Sequence, residues 1–176
     1  EYLSGIATAT AQIVTAARQG NPGASVACTR KNFPGTKTAS LKAVLCAGAS
    51  PHRLNLSETL LVFAEHRAFF PDAAPGELIA RLRLRWPERS VVVEVADEDE
   101  ACTWAAASAD ILQLEKMPVD AVERLHRRLP GTRIAAAGGV NATNAEAYAR
   151  AGASILVTSA PYFAPPRDVA VTLTPV

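Results

Sequence analysis

Cysteine is scarce in this 176-residue chain, where Cys28, Cys46 and Cys102 are odd in number, widely separated and set in apolar stretches. With no CxxC pair and no Cys/His pair at metal-ligand spacing, neither a zinc site nor a disulfide framework is expected. Free thiols of this kind point to a reducing, cytoplasmic setting. Long apolar runs are also missing: none reaches the ~18 residues of a membrane span, and no charged, apolar and small-residue signal pattern opens the chain. Nor is one sign of charge in excess, since 18 Lys and Arg face 17 Asp and Glu for a net charge of +1. That balance argues against a general nucleic-acid or membrane-surface role, which needs a basic surplus. Binding must therefore rest on local clusters. What the chain does have is 49% hydrophobic and 20% charged residues, the composition of one soluble globular domain with a substantial core.

The order of elements follows from periodicity and punctuation. Leu3 to Arg18 places Ile6, Ala9, Ile13, Ala16 and Ala17 at helical spacing, and Gly20 and Pro22 stop it. Ser25–Thr29 reads as a strand, Leu41, Val44 and Leu45 as a short helix ending near Gly48, and Leu60–Phe63 as the next strand. Asp72 to Gly76 is a turn, followed by a helix with an apolar face at Leu78, Ile79 and Leu82 and a solvated edge at Arg81, Arg83 and Arg85. From Val91 the pattern is regular, with strands at Val91–Val95, Ile111–Leu114, Arg133–Ala137 and Ser154–Thr158 separated by helices. Asp97 with Glu100, and Thr143 with Glu146, have capping-box spacing, and Pro118 suits a first helical position. Val122, Leu125 and Leu129 form one stripe, and Gly152 fits a helix end. Short strands alternating with helices mean a parallel sheet. The expectation is an α/β fold, an incomplete (β/α) TIM-like barrel of about six or seven parallel strands, short of the eight of a closed barrel.

Candidate site residues gather where strands end, since ligands of parallel α/β sheets bind at the carboxyl ends of the strands. The first strand stops at two cations, Arg30 and Lys31, followed by Pro34-Gly35, and His52-Arg53 forms a second pair. Alone, such a pair is ordinary solvated loop charge; together the four suggest one anion site. Glu94 interrupts Val91-Val92-Val93, and a carboxylate in a strand buried on both faces costs several kcal/mol unless paired. Either a structural ion pair or a functional position in the barrel lumen answers that cost. Glu115 ends the next strand, so both carboxylates should project over the same mouth, where they suit ribose hydroxyls and Mg²⁺. Gly138-Gly139-Val140 and Thr158-Ser159-Ala160 follow the last two strands, where backbone amides can approach phosphate. A Gly-Gly pair by itself could equally be a tight strand-to-helix turn. His126, between Leu125 and Arg127-Arg128, reads as a surface residue.

These motifs carry a resemblance that spans essentially the whole chain. Thr29-Arg30-Lys31 with Pro34-Gly35, then His52-Arg53, closely resembles the type II phosphoribosyltransferases, typified by quinolinate phosphoribosyltransferase (nicotinate-nucleotide pyrophosphorylase). Further matches follow in order: Ser4-Gly5-Ile6-Ala7-Thr8, Val93-Glu94-Val95, Ala137-Gly138-Gly139-Val140-Asn141, Ser159-Ala160 and Ala164-Pro165. The run from Leu54 through Asn55-Leu56-Ser57 to Phe63 is most similar to the paralogue encoded beside molybdate-uptake genes, the ModD type.

The resemblance implies transfer of phosphoribosyl from phosphoribosyl pyrophosphate (PRPP) to a nitrogen of a small, acidic heteroaromatic compound, with decarboxylation following when that compound is quinolinate. It implies catalytic roles for Lys31, Glu94 and Glu115, substrate contacts from Arg30, His52, Arg53 and Phe63, and Mg²⁺ at Glu94 and Glu115. It also implies a homodimer in which a neighbouring subunit's N-terminal domain closes each site. Residues 1–168 would be the barrel domain, and 169–176 a tail strand returning to a domain absent from this chain. The lack of an initiator Met gives the same expectation of a fragment. There are departures: Phe63 stands where quinolinate enzymes usually have Lys, Glu65 where they have Asn, and Glu115 where they have Asp. Ala137 and Ser159 replace Ser and Gly. His66 is retained. Loss of a cation at Phe63 makes quinolinate an expected poor substrate, and it favours a second reading, a non-catalytic anion-binding accessory protein of molybdate uptake or metabolism.

Overall fold

The computed structural model describes residues 1–54 and 58–174. The Asn55-Leu56-Ser57 part of the ModD-like run and the last two residues of the expected tail strand lie outside the described residues. The described elements are helix α1 (Tyr2–Gly20), β1 (Ser25–Cys28), α2 (Lys37–Cys46), β2 (Ser50–Pro51), β3 (Leu60–Val62) and α3 (Ala64–Arg67). They continue with α4 (Pro75–Arg85), β4 (Val91–Val95), α5 (Glu98–Ala106), β5 (Ile111–Glu115) and α6 (Val119–Arg128). Last come β6 (Arg133–Ala137), α7 (Ala145–Arg150), β7 (Ile155–Thr158) and a 3₁₀ turn, Ala160–Phe163. Among the described residues no helix is long and apolar enough to cross a membrane.

All seven strands are parallel and lie in the order β2-β1-β7-β6-β5-β4-β3. The sheet curls into a half-barrel whose edges, β2 and β3, are consecutive in the chain. The strand missing from the sequence reading is β2. Two residues, one of them Pro, show no periodicity, and a proline in a sheet belongs at its edge.

Period-two alternation divides each strand between two apolar layers. Leu61, Val92, Ile111, Ala135, Ala137 and Val157 face the lumen in one cluster. Val91, Val93, Val95, Leu112, Leu114, Ile134 and Leu156 face outward, against the helices. The same alternation turns Glu94, Gln113 and Glu115 toward the lumen. On the outside, α1 buries Ile6, Ile13, Val14 and Ala17, and its Gly20 lies directly against the Glu146 carbonyl of α7, leaving no room for a side chain. Helix α6 buries Ala121, Val122 and Leu125 and leaves His126 exposed.

Local signals were met unevenly. Asp97 accepts from Glu100 N at 2.7 Å, while Glu100 Oε2 accepts from Ala96 N at 2.8 Å, one residue before the position a capping box predicts. The Thr143-Glu146 box does not form. Instead Thr143 donates its hydroxyl to Asn141 Oδ1 at 2.6 Å, Asn144 Oδ1 accepts from Asn141 N, and Glu146 pairs with Arg150. Pro118 is the residue before α6 rather than its first. Cys46 is exposed rather than enclosed in apolar surroundings. Val169, Val171 and Leu173 are exposed and make no ladder with the described residues.

Candidate active site

At the carboxyl ends of the strands the half-barrel encloses a cavity of about 1110 Å³. Each sequence-predicted site residue, from Arg30 to Ala160, lines it. The strand order arranges them by charge. Cations follow β2 and β1, small-residue turns follow β7 and β6, and acidic side chains occupy β5, β4 and the segment after β3.

On the cationic edge, Arg30 and Lys31 leave β1 exposed, and the Lys31 amide caps onto Thr29 Oγ1 at 3.4 Å. Tyr162 holds the same turn, donating its hydroxyl to Thr29 O at 2.7 Å. His52 N donates to Cys28 O at 2.7 Å and so carries β2 one residue beyond its ladder. Arg53 then takes a left-handed backbone, φ 59°, uncommon outside glycine and a form of strain that clusters at functional sites. Its Nε is buried with no acceptor among the described residues. Burial, and then Arg53 and Arg30 beside it, push the His52 imidazolium down to about 4. His52 is therefore neutral at physiological pH, and the expected four-cation cluster has three charges in the free protein.

The middle of the arc is backbone. Gly138 and Gly139 have φ of 81° and 95°, which glycine adopts without steric cost. Among the described residues no protein acceptor takes the N–H of Gly138, Gly139 or Ser159. Two neighbouring groups are already engaged: Thr158 donates its hydroxyl to Val140 O at 2.6 Å, and the same oxygen accepts from Ala160 N at 3.0 Å. The Thr158 hydroxyl therefore ties the two loops together, and among the described residues the amides without a protein acceptor are those of Gly138, Gly139, Val140 and Ser159.

On the acidic edge, Glu94 Oε2 accepts from Gln113 Nε2 at 2.7 Å. Burial raises the Glu94 pKa, Gln113 opposes this, and the charges of Glu115 and Glu65 raise it further against Arg67. Glu94 is thus a lumenal carboxylate and has no ion-pair partner within bonding distance among the described residues. Glu115 has only a loose one, Lys116 Nζ at 3.9 Å. Phe63 and His66 rings lie 5.4 Å apart, and His66 Nδ1 accepts from Phe63 N at 3.1 Å, fixing the turn that presents the phenyl ring. Among the described residues no group of three His, Cys, Asp or Glu could hold a metal by itself. Two facing carboxylates with mutual repulsion do suit a hard divalent ion that also takes phosphate oxygens.

Sequence reasoning missed Gln113, Lys116 and Asn141, which also line the cavity. Gln113 could have been found by the argument that found Glu94, a polar residue at an inward position of an otherwise apolar strand. Lys116 gave no such signal, because its φ of 55° comes from the turn it makes beneath the glycine loop.

Residues 6–172 match the family model described as quinolinate phosphoribosyl transferase, C-terminal domain. The chain belongs to this family. It is 51% identical over 155 residues to the ModD protein of Rhodobacter capsulatus, named as a pyrophosphorylase, covering 86% of this chain and 60% of that protein. It is 32% identical over 166 residues to the nicotinate-nucleotide pyrophosphorylase (carboxylating) of Mycobacterium leprae, covering 90% and 56% of the two chains. Among solved structures, NadC from Streptococcus pyogenes superposes with a TM-score of 0.79 at 29% identity, over 92% of this chain and 56% of that one. The chain thus spans about 60% of the length of the ModD relative it matches. Family membership agrees with the seven-strand half-barrel.

Proposed function

We propose that this domain carries the active site of a pyrophosphorylase, transferring phosphoribosyl from PRPP to a ring nitrogen of a small heteroaromatic acceptor. The observation that carries this reading is the order of charge around the mouth: cations on β1 and β2, free amides on β6 and β7, carboxylates on β4 and β5. That order matches an anionic group at each end of a ribose that becomes cationic. The 5′-phosphate sits on the amides of Gly138, Gly139 and Ser159. The pyrophosphate faces Arg30, Lys31 and Arg53, with neutral His52 as a hydrogen-bonding neighbour. Glu94 and Glu115 flank the ribose.

As the bond between the anomeric carbon and the pyrophosphate oxygen breaks, its electron pair leaves with pyrophosphate. The acceptor nitrogen's lone pair then forms the new C–N bond. Lys31 and Arg30 stabilise the departing charge, and the two carboxylates stabilise positive charge on the ribose, so catalysis is positioning and electrostatics. Mg²⁺, held by Glu94 and Glu115 together with donor oxygens, would neutralise charge on the leaving group.

The reading includes a second copy of the protein over the mouth, as a homodimer with a shared site. An open mouth would screen these charges and expose the ribosyl cation to water. Phe33, Phe69, Phe70 and Phe163 support a cover, because each follows the carboxyl end of a strand and stays 50–81% exposed.

The test is to incubate full-length protein with PRPP, Mg²⁺ and a panel of heteroaromatic compounds while measuring pyrophosphate release. Acceptor-dependent release is expected. Tight PRPP binding with no product from any acceptor would overturn transfer and leave the accessory-protein reading, which Phe63 favours.

A further inference from the structure

Among the described residues three that are not glycine have a left-handed backbone, Arg53, Ser108 and Lys116, and the two cations of this set both line the large cavity. A lysine at φ 55° is strained where glycine or asparagine would be less so, and such strain gathers at functional sites. Arg53 stands on the β2 side of the mouth. Lys116 stands on the β5 side, directly after Glu115, where the other charged side chains lining the cavity are the carboxylates of Glu65, Glu94 and Glu115.

The turn is held by its neighbours. Lys116 N donates to Ala137 O at 2.8 Å, extending the contact between β5 and β6 past Glu115. The side-chain stem then lies against Gly138, where an added Cβ would stand 2.5 Å from Lys116 Cγ and 2.8 Å from Lys116 N. The end of the side chain is free: it is 78% exposed, and Nζ is 3.9 Å from Glu115 Oε1, too far for a hydrogen bond. An ammonium with donors to spare therefore stands beside the loop whose amides have no protein acceptor among the described residues.

A ligand on that loop needs a charge opposite its own. Backbone amides offer dipoles, whereas a phosphomonoester carries about −1.5 to −2 charge at pH 7. Arg30, Lys31 and Arg53 lie toward β1 and β2, on the other side of the loop after β7, and Glu115 beside the glycines repels an anion. A cation next to both Glu115 and Gly138 offsets that repulsion.

We propose that Lys116 is a substrate-binding residue whose ammonium, together with the Gly138 and Gly139 amides, holds the 5′-phosphate of a phosphorylated ribose. The inference rests on the phosphoribosyl-transfer reading for the identity of the sugar and adds to it a charged contact from the β5 side. Lysine brings a compact point charge on a flexible stem, which suits a tetrahedral phosphate approached from one side.

The experiment measures equilibrium binding of ribose 5-phosphate and, separately, of inorganic pyrophosphate to the full-length protein by calorimetry. Lys116→Asn removes the charge and tolerates the left-handed turn, so its melting temperature should not fall. It should weaken ribose 5-phosphate binding about tenfold or more, the scale of one charge-assisted hydrogen bond, and leave pyrophosphate affinity unchanged. Lys116→Arg, which keeps the charge, should retain most of the affinity. Unchanged ribose 5-phosphate affinity in folded Lys116→Asn overturns the proposal, as do equal losses for the two ligands, a loss in Lys116→Arg as large as that in Lys116→Asn, or no binding of ribose 5-phosphate to the wild type. Lys116-dependent binding of ribose 5-phosphate, with no pyrophosphate released from PRPP in the presence of any acceptor, strikes the transfer reading alone.

Discussion

Gly138 lies against Glu115 so closely that a methyl group on its Cα would stand 2.8 Å from Glu115 Oε1 and 2.5 Å from Lys116 Cγ. The glycine loop and the carboxylate are thus one packed unit, and the turn proposed to hold phosphate constrains the carboxylate proposed to face the ribose. Gly139 has a similar left-handed backbone and open space around its Cα.

The pair gives an internal control. Both Gly138→Ala and Gly139→Ala incur the left-handed strain, about 1–2 kcal/mol, but only the first displaces Glu115. Gly138→Ala should lower kcat/KM for pyrophosphate release at least tenfold more than Gly139→Ala. Equal losses in steady-state assays would show that the contact with Glu115 carries nothing.

His52 gives a pH signature in stability. Its folded value is depressed from 6.5 to about 4, so between those limits the unfolded chain takes up a proton that the folded chain refuses. Stability from this group is complete above about pH 6.5 and falls as pH drops toward 4. In melting curves between pH 7 and 4.5, His52→Gln should lose roughly 5 °C less than wild type. Parallel pH dependences would mean that the imidazole is not held neutral by burial and its arginine neighbours.

Quinolinate should be a poor substrate, because Phe63 offers no charge to a second carboxylate. Phe63→Lys should tighten quinolinate binding about tenfold or more, as a charge-assisted contact contributes roughly 1.5–3 kcal/mol. Titration of both proteins decides it, and an affinity unchanged by the substitution refutes the assignment of Phe63 to the acceptor pocket.

A shared site predicts complementation between inactive variants. Full-length Lys31→Ala is mixed with a variant altered in the part of the full-length protein outside these 176 residues, under conditions of verified subunit exchange. Random assortment into two-fold dimers should restore up to about a quarter of wild-type sites. Full activity in a stable wild-type monomer, or none recovered after exchange, would remove the closed-dimer model.

Much of this architecture is written locally. Val-Val-Val-Glu-Val and Ile-Leu-Gln-Leu-Glu determine by alternation alone that Glu94 and Glu115 share the lumen, since side chains of a strand change face at each residue. The end of the Ser25–Thr29 run likewise locates Arg30 and Lys31 at the mouth, and family motifs extend the same inference to the glycine loop. Strand order is another matter. Placing β1 beside β7 brings the cations next to the loop after β7 across some 130 residues of sequence, and no local pattern carries that pairing. Only the tertiary structure joins the Thr158 hydroxyl to Ala160 N and to the Val140 carbonyl, and among the described residues it leaves the Gly138, Gly139, Val140 and Ser159 amides without a protein acceptor. It alone makes His52 neutral, because desolvation and the field of two arginines depend on which neighbours surround the ring. Gln113 lies between the two cases. Its inward position is legible from the strand, but its unsatisfied oxygen arises only once Glu94, at the paired position of the adjacent strand, has taken the other end of its amide.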